Sequence, residues 1–312
     1  MQRRNLGQSP LAITPLCLGG NVFGWTADEP TSFAILDAFV ALGGNAIDTA
    51  DGYSSWVPGH SGGESETVIG RWLKRRGRRD DVVIGTKVGL WEKRKGITPA
   101  NIIAGCEDSL RRLGVETIDL YWLHRDDDET PADEYLGALD RLVKGGKVRA
   151  VGASNFGVER FKAALDESDR SGKVRFVAQQ PEYSLLNRNI EKDLLPLCAR
   201  EGVAILPYFP LASGFLTGKY RTAADKTKSA RGGGAIKHLE GKGKPVLAAL
   251  DAVAARQGAT CAQVALAWVM AKPAIAAPIA SATSVAQITE LMGALELQLT
   301  AADVAELDQA SA

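Results

Sequence analysis

Histidine and cysteine are scarce in this chain of 312 residues, and their scarcity removes several chemistries at once. The three histidines (His60, His124 and His238) lie far apart, with no spacing that would form a ligand set, so no metal is expected. The four cysteines (Cys17, Cys106, Cys198 and Cys261) form no CxxC pair. Thiols so dispersed fit burial in a reducing interior better than a disulfide framework. Excess charge of one sign is lacking too: 37 Lys and Arg balance 37 Asp and Glu, leaving no net pull toward nucleic acid or anionic membrane. The basic run Arg71 to Arg79 ends at Asp80 and Asp81 without aromatic companions, and reads as a solvated helix end. No run approaches ~18 consecutive apolar residues. Residues 1–20 hold no apolar stretch of signal-peptide length. A cytoplasmic protein that engages neither nucleic acid nor membrane is expected.

Also missing is a GxGxxG turn after any expected strand, which disfavours a doubly wound dinucleotide-binding sheet. What is present is a regular alternation. Short apolar runs at Ile13–Leu18, Asn45–Asp48, Val82–Thr86, Ile118–Leu123, Val148–Gly152, Arg175–Gln179, Val203–Pro207 and Ile275–Ile279 predict strands. Amphipathic stretches between them, such as Thr31–Leu42, Glu64–Arg75, Thr98–Leu113, Ala132–Lys144, Val158–Asp169 and Ile190–Arg200, predict helices. Thr98-Pro99 is helix-start chemistry, and Gly114 and Gly202 are helix stops. Eight nearly continuous apolar strands, each followed by a helix, predict an α/β fold: one (β/α)8 barrel over residues 1–312. Gly7-Gln8-Ser9-Pro10 predicts an N-terminal hairpin that caps the barrel bottom. Residues 221–244 carry Arg221, Lys226, Lys228, Arg231 and many glycines but no apolar period, which predicts a mobile loop after the seventh strand, either a surface insertion or a lid over a bound cofactor.

Three of the expected strands end in a single polar residue: Asp48, Lys87 and His124, with Tyr53 on the loop just beyond Asp48. Parallel strands would lift these side chains to one rim, the end of such barrels that carries chemistry. An acid, an amine, an imidazole and a phenol at one point make a proton-transfer site. A free phenol has a pKa of about 10, high for a general base, and a neighbouring ammonium lowers it. Lys87 is given that role toward Tyr53, the expected proton donor. Asp48 is expected to hold Lys87 charged, and His124 to orient a substrate carbonyl.

Further motifs stand in order along the chain. They include Asp48-Thr49-Ala50-Asp51-Gly52-Tyr53, Gly63-Glu64-Ser65-Glu66, Thr86-Lys87-Val88-Gly89 and Asp119-Leu120-Tyr121-Trp122-Leu123-His124. Beyond them come Val151-Gly152-Ala153-Ser154-Asn155-Phe156, Gln180-Pro181-Glu182-Tyr183 and the run from Pro210 to Tyr220. In these the chain resembles the aldo-keto reductases along essentially its whole length. The resemblance implies that Asp48, Tyr53, Lys87 and His124 are the catalytic tetrad of an NAD(P)H-dependent oxidoreductase. It implies that Ser154, Asn155 and Gln180 hold a nicotinamide carboxamide and that Tyr208 stacks on its ring. Leu211, Ser213, Gly214, Leu216 and Lys219 would line the pyrophosphate, and Ser281, Thr283, Gln287 and Glu290 the adenosine end.

Trp25, Trp56 and Trp91 fall on loops after the first three strands, above the proposed site, with Phe23 and Phe209 near them. They are taken as substrate contacts. The chain also runs only a few residues past a last helical segment near 302–309. An open, aromatic pocket favouring bulky or cyclic ketones and aromatic aldehydes is therefore expected. The resemblance implies NADP(H), yet no Lys or Arg follows Lys272 and Leu291 stands where an adenine-contacting Asn is common. Hydroxyls of Ser281, Thr283 and Ser284 with helix N-terminal amides would then hold the extra phosphate, and measurable use of NAD(H) is expected. Two other readings share the scaffold: an NAD-dependent sugar or alcohol dehydrogenase, and a cofactor-sensing regulatory subunit like the potassium-channel β subunits.

Overall fold

A computed structural model describes residues 2–312. Strands β1 (Arg4–Asn5) and β2 (Ala12–Ile13) form an antiparallel hairpin. Eight parallel strands follow: β3 (Cys17–Gly19), β4 (Ala46–Asp48), β5 (Val83–Val88), β6 (Ile118–Leu123), β7 (Val148–Ser154), β8 (Ala178–Gln180), β9 (Ala204–Ile205) and β10 (Ile279–Ala280). They neighbour one another in chain order, and β10 pairs with β3. Closure comes from the segment before β10 and from the start of β10 itself. Ile205 N–H donates to Ala274 O (2.8 Å), Ala276 N–H to Ile205 O (2.9 Å) and Ile279 N–H to Pro207 O (2.8 Å). The fold is the expected (β/α)8 barrel.

Every residue of β6 is buried, because helices cover one face and the barrel interior the other. Inside, Trp122 from β6 packs with Leu120, Ala46, Ala150, Ala178 and Ala204. Its indole leaves no room on the flanking strands. A Cβ on Gly152 would lie 2.3 Å from the Trp122 ring, and one on Gly85 would lie 2.9 Å from Trp122 Nε1. Those two glycines let one large side chain fill the barrel just below the rim. At the other end Leu6, Leu11 and Ile13 of the hairpin join the same interior cluster, so the hairpin plugs the bottom.

The expected strands Arg175–Gln179 and Ile275–Ile279 are strand only over Ala178–Gln180 and Ile279–Ala280, and two further segments differ from the pattern in the sequence. The run Ile13–Leu18 is broken between β2 and β3 at Thr14-Pro15, where Pro15 has no N–H for a ladder. Asn45 replaces the missing pairing: its Oδ1 accepts from Thr14 N–H (2.8 Å) and its Nδ2 donates to Ala12 O (3.0 Å). Residues 221–244 are built from short helical turns at Ala223–Lys228, Gly232–Ala235 and Ile236–Leu239. Thr222 and Asp225 cap the first turn reciprocally, and Ala235 is fully buried. Two of its glycines serve close approach: a Cβ on Gly232 would stand 1.9 Å from Lys226 O, and one on Gly243 1.6 Å from His238 O. No helix is long and apolar enough to cross a membrane among the described residues.

Candidate active site

The C-terminal ends of the barrel strands open into one cleft of about 850 Å³. Lys87, near the end of β5, lies at its base and is completely buried. A buried ammonium is costly unless every proton is used, and all three are. Lys87 Nζ donates to Asp48 Oδ2 (2.5 Å), to Thr49 O (2.8 Å) and to the Tyr53 hydroxyl (2.8 Å). The same nitrogen stands 4.6 Å from the centre of the Tyr53 ring. Strand register sets this up, because Asp48 at the end of β4 pairs with Gly85, two residues before Lys87 on the same face.

The network continues outward. Gln180 Nε2 donates to Asp48 Oδ1 (3.1 Å), and Ser154 Oγ donates to Gln180 O (2.8 Å). Asn155 Nδ2 donates to Ser154 Oγ (3.0 Å) and to His124 O (3.0 Å), while Asn155 Oδ1 accepts from the Tyr208 hydroxyl (2.8 Å). Asn155 has a left-handed backbone (φ 55°), a conformation asparagine tolerates better than most residues. The His124 ring lies 6.0 Å from that of Tyr53, nearly edge-on.

Burial governs the protonation states. It pushes His124 well below its ordinary value, aided by Lys87 and Arg125, so the imidazole is neutral. Burial also lowers the Lys87 ammonium, but Asp48 and Tyr53 more than reverse this and Lys87 is raised and charged. Burial raises Asp48 although Lys87 opposes it. For Tyr53, burial raises the phenol and Asp48 adds to it; Lys87 lowers it, as expected, without winning. The net direction is therefore opposite to the expectation from charge alone: in the protein without a bound ligand, Tyr53 is a firmly protonated phenol.

Of the residues assigned to a cofactor, Ser154, Asn155, Gln180, Tyr208, Leu211, Ser213, Gly214, Lys219, Ser281, Thr283, Gln287 and Glu290 line the cleft. Leu216 does not, its side chain being completely buried beneath it. Ala212, Ser213 and Gly214 have successive positive φ angles (45°, 58° and 91°), and the N–H groups of Ala212 and Gly214 donate to Phe209 O and Leu211 O (2.9 Å each). At the far end Thr283 N–H donates to Gln287 Oε1 (2.8 Å), and Ser281 Oγ donates to Asn21 Oδ1 (2.6 Å).

The aromatic residues divide. Trp56 and Phe209 are half exposed (50% and 42%) and line the cleft. Trp25 stands behind Trp56, edge to face at 5.6 Å, and does not line it. Trp91 packs instead against Gly52 and Gly62, where an added Cβ would meet its indole or its Cβ within 3.1 Å. It buttresses the loop that carries Tyr53. Phe23 is completely buried.

Sequence reasoning missed Asn21 and Arg125 as cleft residues, and had Lys228 and Arg231 only as cations of a loop that could be a lid. Arg125 had one available signal, its position directly after His124. Arg231 had none, because its loop has no period to place it. Its guanidinium lies 5.6 Å over the Trp25 ring, and its Nη2 is buried with no hydrogen-bond partner. Among the described residues no three His, Cys, Asp or Glu side chains converge as a metal site needs.

The family model described as the aldo/keto reductase family matches residues 15–312. An uncharacterized oxidoreductase of Bacillus subtilis, YrpG, is 34% identical over 309 residues, spanning 96% of this chain and 92% of its own length. Norsolorinic acid reductase B of Aspergillus parasiticus is 33% identical, spanning 96% of this chain and 81% of its own. A probable voltage-gated potassium channel subunit beta of Arabidopsis thaliana is 32% identical, spanning 95% and 92%.

Proposed function

The chain belongs to the aldo/keto reductase family, and we propose that it is an oxidoreductase working between NADP(H) and a ketone, aldehyde or secondary alcohol. The observation that carries this reading is the fully buried Lys87 ammonium, whose three protons go to Asp48, a backbone carbonyl and the Tyr53 hydroxyl. Such an ion pair costs desolvation and has no structural need at a strand end. The cleft suits a nicotinamide dinucleotide: Ser154, Asn155, Gln180 and Tyr208 form one hydrogen-bonded wall, and Gly214 with its left-handed neighbours lies beside Lys219. When bound, the reduced nicotinamide supplies hydride.

The chain's own residues supply the proton and the orientation. Tyr53, protonated at neutral pH, donates its phenolic proton to the substrate oxygen as charge develops there. Lys87 stabilises the phenolate left behind, and Asp48 keeps Lys87 in place. Neutral His124 donates a ring N–H to the same oxygen, adding polarisation without a second cation. In oxidation the phenolate takes the proton back.

Lys219, Lys228 and Arg231 on the cleft wall favour a phosphate-rich cofactor and support NADP(H). The region after Lys272 has no cation to enforce the choice, so NAD(H) is used measurably. Exposed Trp56 and Phe209, with Leu90, favour bulky or cyclic ketones and aromatic aldehydes. The reading is tested by steady-state turnover of a panel of aldehydes and ketones with each reduced cofactor. Glyceraldehyde or glucose turning over with higher kcat/KM than every aromatic carbonyl would refute the substrate class. A relative named as a potassium-channel subunit favours a second reading, a cofactor-sensing regulatory subunit. Tight cofactor binding with no turnover of any carbonyl would select it.

A further inference from the structure

The chain has no net charge, yet four cationic side chains line its cleft: Arg125, Lys219, Lys228 and Arg231. Two carboxylates line it with them, Glu290 and Asp48, the latter already neutralised by Lys87. Three of the cations stand on the segment after β9, where the phosphates of a dinucleotide account for them. Arg125 is left over. It follows His124 off the end of β6, and its charge reaches His124 and Tyr208, the residues nearest the expected reaction.

Arg125 is exposed, and no neighbouring carboxylate holds it. Four acidic residues follow it, Asp126 to Glu129, and none pairs with it. Asp126 is held by Arg160 in a two-pronged pair (both 2.7 Å). Asp127 accepts from Ile97 N–H (2.9 Å), Thr130 N–H (2.9 Å) and the Thr130 hydroxyl (2.8 Å). Among the described residues the Arg125 side chain makes no hydrogen bond. A guanidinium presents a planar fork of donors that matches a carboxylate.

We propose that Arg125 determines substrate specificity by binding a carboxylate carried on the carbonyl compound, whose ring lies against Trp56, Phe209 and Leu90. The substrate class is then an aromatic or cyclic aldehyde or ketone bearing a carboxylate. This rests on the carbonyl-reducing reading of the cleft and sharpens it.

The test compares kcat/KM for para-carboxybenzaldehyde and its methyl ester, using the full chain with NADPH, in wild type, Arg125→Gln and Arg125→Lys. The acid should be preferred about ten- to hundredfold, as a charge-assisted contact predicts. The preference should lie in KM rather than kcat and shrink with added salt. Arg125→Gln should abolish it and Arg125→Lys keep part of it. An acid-to-ester ratio that is the same in wild type and Arg125→Gln overturns the proposal. Absence of turnover with either aldehyde sinks the enzymatic reading instead. The inference is then decided by binding: tryptophan quenching by para-hydroxymethylbenzoate against its methyl ester, with NADP⁺ present. A preference for the carboxylate that Arg125→Gln removes sustains it, and equal binding overturns it.

Discussion

Lys87 and Tyr53 show how one side chain's protonation is decided by competing magnitudes. The ammonium 2.8 Å from the phenol oxygen favours phenolate, while burial and the Asp48 charge favour phenol, and the latter two win. Reduction, which needs the proton on Tyr53, should therefore be insensitive to pH through the neutral range and decline only in alkali. Oxidation should rise with pH. Because His124 is neutral, no limb should appear near the ordinary imidazole value of about 6.5. Tyr53→Phe should lower kcat by orders of magnitude and leave dinucleotide affinity nearly unchanged; near-wild-type kcat would remove Tyr53 from its role. Lys87→Met removes the one influence that lowers the phenol, so residual oxidation should require still higher pH. Asp48, Lys87 and His124 were legible because each is a lone polar group ending an apolar run, and Tyr53 because it stands on the loop just beyond Asp48. Arg125 and Arg231 were not, since a cation on an irregular loop looks like any solvated charge until the backbone aims it.

At the scale of elements, the loop after β4 carries Tyr53 and rests on an unusual carboxyl. Asp51 is buried, neither of its oxygens has a hydrogen-bond partner, and its N–H donates to Lys87 O (3.1 Å). Burial and the nearby Glu66 raise its pKa from 3.8 to about 7, against the pull of Arg112 and Arg94. A raised carboxyl means that the folded state holds a proton the unfolded state has released, so this group costs stability as pH rises from about 4 to about 7. Asp51→Asn should gain in Tm over wild type between pH 5 and pH 8, by the equivalent of about 3 kcal/mol at most. A difference that stays constant with pH would show that Asp51 does not titrate there. The floor of the site has its own test: Gly152→Ala should destabilise by about 1–3 kcal/mol, read by denaturant unfolding, because its Cβ meets the Trp122 ring. Strand and helix periods placed most elements in advance. The run Ile13–Leu18 misled because Pro15 breaks a ladder that Asn45 then repairs through its side chain, and side-chain repairs have no period. The short helical turns of the segment 221–244 left no period in the sequence because they are held by a capping box and by contacts only glycine permits.

For the whole molecule, the barrel was legible because eight buried strands and their covering helices repeat one alternation, whereas the distribution of charge was not. Composition records balance; the fold converts it into a cleft with Arg125, Lys219, Lys228 and Arg231 on its walls. Three of these cations come from the segment after β9, beside the proposed phosphate path, and none comes from the chain beyond Lys272, the proposed adenosine end. Affinity for either dinucleotide should therefore fall with added salt, while discrimination between them stays modest. Arg221 cannot supply the missing charge, since both its terminal nitrogens are committed to Asp251 (2.7 Å each). Fluorescence titration of NADPH and NADH into one preparation checks this. The expected outcome is tighter binding of NADPH by less than about a thousandfold, because hydroxyls and amides at Ser281, Thr283 and Ser284 replace a charge-assisted contact. Arg231→Gln should weaken both cofactors alike if its unpaired guanidinium meets the shared phosphates. A loss confined to NADPH, or a wild-type preference above about a thousandfold, would mean that a cation from this segment reaches the extra phosphate, and that selectivity resides in the loop after β9 rather than in the last barrel helix.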